Sequence, residues 1–159
     1  MSENKISKSR IVFAVLTATV MVCIFLFSCE NADKSSDTSG IIVNFILDIF
    51  YKDFDSMTLA EQAETMSQVS HIIRKTAHFT IYAALGFFAS LTAGRRKLFS
   101  KGSLGVVLFC ALYAISDEIH QYFVPGRACM FTDMLIDTCG GITGMAISFL
   151  MMKLFYKEK

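Results

Sequence analysis

The sequence predicts an all-α fold: a polytopic membrane bundle of four transmembrane helices, both termini cytoplasmic, with an outer amphipathic helical segment between helices 1 and 2. Three observations predict it. Hydrophobic residues make up 53% of the 159-residue chain, more than an ordinary soluble domain carries. Four long apolar runs are spaced along it, and a bilayer core of roughly 30 Å takes about 17–25 helical residues to cross. The charges between the runs alternate in sign, as four crossings require.

Residues 1–10 are a cytoplasmic tail carrying net +2. The first span, 11–28, reads IVFAVLTATVMVCIFLFS and has no charge in 18 residues. Its end, LFSC at Leu26–Cys29, resembles a lipoprotein cleavage box. The bulky Phe27 fits such a box poorly, so a retained signal-anchor helix is expected.

The outer segment, 29–75, is acidic. From Glu30 to Lys75 it holds eight acids and four bases. Apolar residues at 41, 42, 45, 46, 49 and 50 follow a helical spacing, which predicts an amphipathic helix lying on the outer membrane surface. TLAE at Thr58–Glu61 has the form of a capping box. It starts a helix that is expected to run into the second span, 76–93.

A basic loop follows, with Arg95, Arg96, Lys97 and Lys101 giving net +4. The third span, 102–120, begins GSLGVVLFCALYAIS and runs on into DEIHQYF. Asp117–Asp137 is net −3. The fourth span is 134–152, and 153–159 is a second cytoplasmic tail, net +2. The membrane domain is therefore 11–152, a multi-pass protein of the cell membrane with the lipid bilayer as its medium. A formal net charge of +1 offers nothing to nucleic acid. Five cysteines, at 23, 29, 110, 129 and 139, contain no CxxC pair. The odd count argues against a full disulfide framework and leaves the state of Cys29 and Cys129 open.

Polar groups collect at the outer ends of three spans. At about 100° per residue, His71, Lys75, His78 and Tyr82 fall within about 60° of arc, with Arg74 beside them. Asp117, His120 and Gln121 lie one turn apart, and Glu118 is placed to pair with Gln121 at i, i+3. Val124–Arg127 reads VPGR, a tight turn. Asp133, Asp137, Gly140 and Gly144 share one face of the fourth span, where small residues let a neighbouring helix approach. Intramembrane charge costs about 2.5–3.5 kcal/mol on insertion scales. Arg74 and Lys75 read equally well as snorkelling flanks. His78 and Asp137 lie a turn or more deeper and are expected to point inward and pair.

These residues also carry a resemblance. RKTAHFTIYAALG, SDEIHQYFVPGR and FTDMLIDTCGGITG resemble, in order, the three signatures of VanZ-like membrane proteins. The likeness runs from Ile11 to about Met152 and includes FLFS with serines at 35, 36 and 39. Cys29 and Glu30 replace a small, polar pair, a departure from the pattern. The resemblance implies a membrane protein whose founding relative is linked to low-level resistance to the glycopeptide teicoplanin. It implies no established mechanism and assigns no resistance to this chain.

Three classes of function fit. In an enzyme acting on a lipid or wall precursor, His78, Asp117, Glu118, His120 and Asp137 are the catalytic candidates. Arg74, Lys75, Tyr82, Gln121, Arg127 and Asp133 are the substrate-binding candidates, since Arg grips phosphate or carboxylate bidentately. In a binding protein, the same groups hold a glycopeptide, a wall precursor or a partner. In a scaffold, they lock helix register. Histidine and carboxylate suit a divalent ion, but the i, i+3 spacing of Asp117 and His120 is far from unique, so metal and cofactor stay open, as does the oligomeric state. A site requires a pocket open to the outer surface or leaflet. A scaffold requires a closed, fully paired network.

Overall fold

The computed structural model describes residues 8–30, 32–94 and 98–155, with the backbone alone at 32–39 and 155. Arg95, Arg96 and Lys97 of the basic loop and most of both tails lie outside the described residues, as do the side chains of the serines at 35, 36 and 39. The helices are α1 (Lys8–Ser28), α2 (Ala32–Phe50), α3 (Leu59–Ala93), α4 (Lys101–Tyr122) and α5 (Phe131–Phe155), with a 3₁₀ turn at Phe54–Ser56. The described residues contain no strand. α1, α3, α4 and α5 are the four helices long and apolar enough to cross a membrane.

α3 starts where its cap predicts. The Glu61 amide donates to Thr58 Oγ1 at 3.4 Å, and the Thr58 amide donates to Glu61 Oε2 at 2.9 Å. The box thereby satisfies the cap's own amide and one of the four free donors at the helix start. The helix then runs 35 residues without a break, about 52 Å at 1.5 Å per residue. That exceeds the hydrocarbon thickness, so its first turns stand beyond the membrane core.

α2 uses those turns. Val43 and Leu47 are buried against Val69 of α3, with Ile46, Phe54 and Ile73 around them. The helix begins at Ala32, before the first of the spaced apolar positions, and ends at Phe50, the last of them, and it docks on α3 through one narrow stripe. Its other apolar stripe, Ile41, Phe45 and Ile49, stays exposed.

Glycine brings α3 and α5 together. A Cβ added at Gly140 would strike Phe79 O, one at Gly144 would strike Ala83 O, and one at Gly86 would strike Gly141 O. With no side chain in the way the backbones close, as small residues permit in membranes. The Gly140–Gly144 face thus packs within the chain. Ser90 and Ser148 hydrogen-bond further along the same seam, and both are buried.

α1 lies antiparallel to α3, with Arg10 Nε donating to Thr92 O at 2.9 Å. It lies parallel to α4, with Tyr113 Oη donating to Met21 O at 2.7 Å. The end of α1, the end of α4 and the start of α5 therefore meet the middle of α3 at one end of the bundle. VPGR turns the chain there: Gly126 has φ 78° and the Arg127 amide donates to Val124 O at 3.1 Å. Pro at the second position and left-handed glycine at the third make this a type II turn.

Candidate functional site

The α3–α5 seam sets the first pairs. Each turn gained on α3 matches a turn gained on α5. Lys75 Nζ sits 2.9 Å from Asp133 Oδ1, and one turn deeper His78 Nδ1 sits 3.6 Å from Asp137 Oδ2. Asp137 is wholly buried. Neither of its oxygens accepts a hydrogen bond from the described residues, and 3.6 Å is an ion-pair contact longer than a hydrogen bond.

α4 supplies the next layer. Asp117 is buried and accepts from Ser28 Oγ on Oδ1 and from Gln121 Nε2 on Oδ2, the latter at 3.1 Å. Gln121 Nε2 also donates to Ser28 Oγ at 2.9 Å. Arg127 Nη1 approaches Gln121 Oε1 at 3.4 Å. Glu118 points away from this chain of bonds. It is buried and accepts from the Met130 amide at 2.9 Å, which ties the turn between α4 and α5 to α4. The i, i+3 pairing of Glu118 with Gln121 is thus replaced by the i, i+4 pair Asp117–Gln121.

The remaining positions divide. Tyr82 is buried and its hydroxyl has no hydrogen-bond partner among the described residues. His120 leaves the acids and lies against Phe25 of α1, ring centroids 4.9 Å apart. His71 is exposed beside Arg74, at 3.4 Å. The structure therefore joins His78, Asp117, Asp137, Gln121 and Arg127 in one cluster and sets His120 outside it.

Two cavities border the cluster. A groove of about 260 Å³ runs between α1, α2 and α3. Its walls are apolar, with Ile24, Phe27, Ile42, Ile73 and Ile81, and at one end stand Arg74, His78 and Arg127 with Glu30. A second cavity, about 20 Å³, lies among Lys75, Gln121, Asp133 and Asp137, and shares those same three residues Arg74, His78 and Arg127. The two spaces thus share two guanidiniums and an imidazole in their walls. Desolvation, and then the nearby charge of Arg74, hold the Arg127 pKa below its usual value. The group stays a cation even so. Arg74 and Arg127 face these spaces together with Glu30 of the groove and Lys75, Asp133 and Asp137 of the cavity.

A family model described as VanZ/LLP1 matches residues 13–153. The chain belongs to the VanZ/LLP1 family. Neither the curated proteins nor the solved structures hold a match to it. Membership and the four long apolar helices make it a multi-pass membrane protein. All three motif segments that suggested the family converge on the cluster, and FLFS joins them through Ser28.

Ser28 is the member that sequence reasoning missed. It closes an uncharged run and has no polar neighbour on its own helix to mark it. Glu30 was missed for a different reason: it reads as one more acid of the outer segment. The groove walls carry no signal either, because an isoleucine facing a groove and one facing lipid look alike in sequence.

Proposed function

We propose that this protein is a cell-envelope membrane protein that takes an acidic lipid or lipid-linked wall precursor into the groove between α1, α2 and α3 and acts on its headgroup. The observation that carries the reading is an apolar groove and a polar cavity that share Arg74, His78 and Arg127 in their walls. An acyl chain fills the first, and the two arginines hold a phosphate or carboxylate at the shared wall. His78, backed by the buried carboxylate of Asp137, is the arrangement of a general base or acid with its orienting partner. Unpaired buried atoms on Tyr82 and Asp137 argue against a closed lock. The alternation of loop charge supports placing this end outside, at the outer leaflet. The family's link by name to glycopeptide resistance fits such a place, since acylated glycopeptides work on that surface.

The test uses full-length protein in detergent and an acyl-chain monophosphate as probe. Arg74→Gln and Arg127→Gln are expected to weaken binding at least tenfold each. His78→Gln and Asp137→Asn are expected to leave binding nearly intact and to abolish whatever change in envelope lipids or in teicoplanin susceptibility expression of the wild-type gene is found to produce. Unchanged binding in both arginine variants sinks the reading. The alternative is a non-catalytic protein in which the cluster binds a ligand or locks the bundle. It is favoured by the bond chain Ser28–Asp117–Gln121–Arg127, which ties α1 to α4. It predicts graded loss of binding with His78→Gln, or loss of the protein itself.

A further inference from the structure

We propose that His78, Asp117 and Asp137 form a site for a divalent transition-metal ion, zinc foremost, where α3, α4 and α5 meet. One ligand atom from each of the three lies within 4.8 Å of the other two. The His78–Asp137 edge is 3.6 Å, against about 3.3 Å between ligands on a tetrahedron with bonds of about 2.0 Å. The other two edges are at most 4.8 Å, so binding an ion would draw the three side chains together.

Two further observations point to a ligand. Asp137 is wholly buried, and neither oxygen accepts a hydrogen bond among the described residues. Among the described residues no amine or guanidinium forms an ion pair with Asp117 or Asp137: Lys75 serves Asp133, Arg127 Nη1 reaches Gln121, and Asp137 faces only the imidazole of His78 at 3.6 Å. A buried carboxylate left in that state is costly, and a cation relieves the cost. The cavity of about 20 Å³ borders both His78 and Asp137. It has room for one water, which suits the fourth position of a three-ligand site.

The outer contacts are those a metal ligand needs. Ser28 and Gln121 hold both oxygens of Asp117 and leave it lone pairs to spare. One imidazole with two carboxylates favours a first-row ion over magnesium or calcium. Arg74, Lys75 and Arg127 line the same cavity and lower the affinity, so the measurement runs over a series of metal concentrations.

The inference deepens the proposed function: with a metal bound, His78 and Asp137 serve as its ligands in place of base and orienting partner, and a Lewis acid stands beside the headgroup. Metal is counted with no lipid present, so either can fail alone. Full-length protein in detergent is stripped with chelator, dialysed against Zn²⁺ or Mn²⁺, and its metal measured. One ion per chain is expected in wild type and in His71→Gln, with at least tenfold weaker binding in His78→Gln and Asp137→Asn. X-ray absorption on the zinc form of wild type is expected to show nitrogen and oxygen ligands near 2.0–2.1 Å and no sulfur near 2.3 Å. It keeps the proposal testable where a variant fails to accumulate. Wild type that binds no ion, an ion retained in both variants, or a sulfur shell from the cysteines overturns it.

Discussion

At the scale of single residues, Ser28 decides how well the cluster is held. Its hydroxyl donates to Asp117 and accepts from Gln121, and all three side chains are buried. Ser28→Ala leaves a carboxylate and an amide short of one partner each. Losing a partner to a buried polar group costs about 1–3 kcal/mol. We expect Ser28→Ala to lower the thermal unfolding midpoint in detergent by several degrees. Ser116→Ala should leave it unchanged, because that exposed hydroxyl only bonds back to Tyr113 O on its own helix. Equal midpoints would mean that the bond from α1 contributes nothing. The contrast also shows what a sequence conceals. Ser116 stands beside Asp117 in sequence and takes no part in holding it, whereas Ser28 is 89 positions away and touches the carboxylate.

At the scale of elements, the α3–α5 seam is where sequence and structure agree most closely. Asp133, Asp137, Gly140 and Gly144 were legible as one face because helical spacing is a local property. Lys75, His78 and Tyr82 were legible as the facing stripe for the same reason. What spacing could not give was the partner of each position, which depends on where two helices touch. That is why His120, one turn from Asp117, went unseen as a neighbour of Phe25. The seam yields a sharp prediction. A side chain at Gly144 meets the backbone of Ala83, so it must push the helices apart. Gly144→Leu is expected to abolish accumulation of the protein in the membrane. Gly105→Ala, with nothing within 4 Å of the new Cβ, is expected to be neutral or to stabilise α4 by up to about 1 kcal/mol. Immunoblots of membranes from both variants decide it, and normal levels of Gly144→Leu would show that the seam is looser than its glycines imply.

At the scale of the whole molecule, polarity is turned inside out. Asp117, Glu118, Gln121, Asp137, Ser90 and Ser148 are buried, while Val15, Val22, Leu26, Leu104, Leu108, Leu112, Ile147 and Leu150 are exposed. Water would not tolerate so continuous an apolar exterior, and lipid demands it. The orientation of that bundle bears on every functional reading, because a receptor for an outer-leaflet ligand must open outward. Cys29 and Cys129 are free, exposed and close in sequence to the cluster end of α1 and the turn before α5. Lys153 is exposed near the far end of α5. In chains carrying a single cysteine, a membrane-impermeant maleimide added to intact cells is expected to label Cys29 or Cys129. Lys153→Cys should react only after the membrane is permeabilised. The alternating loop charge predicts this pattern, and the parallel run of α1 with α4 requires that Cys29 and Cys129 behave alike. The reverse pattern would put Arg74 and Arg127 at the inner leaflet. The groove would stand, but its occupant would have to be an acidic lipid of the cytoplasmic face, and the tie to an extracellular glycopeptide would be lost.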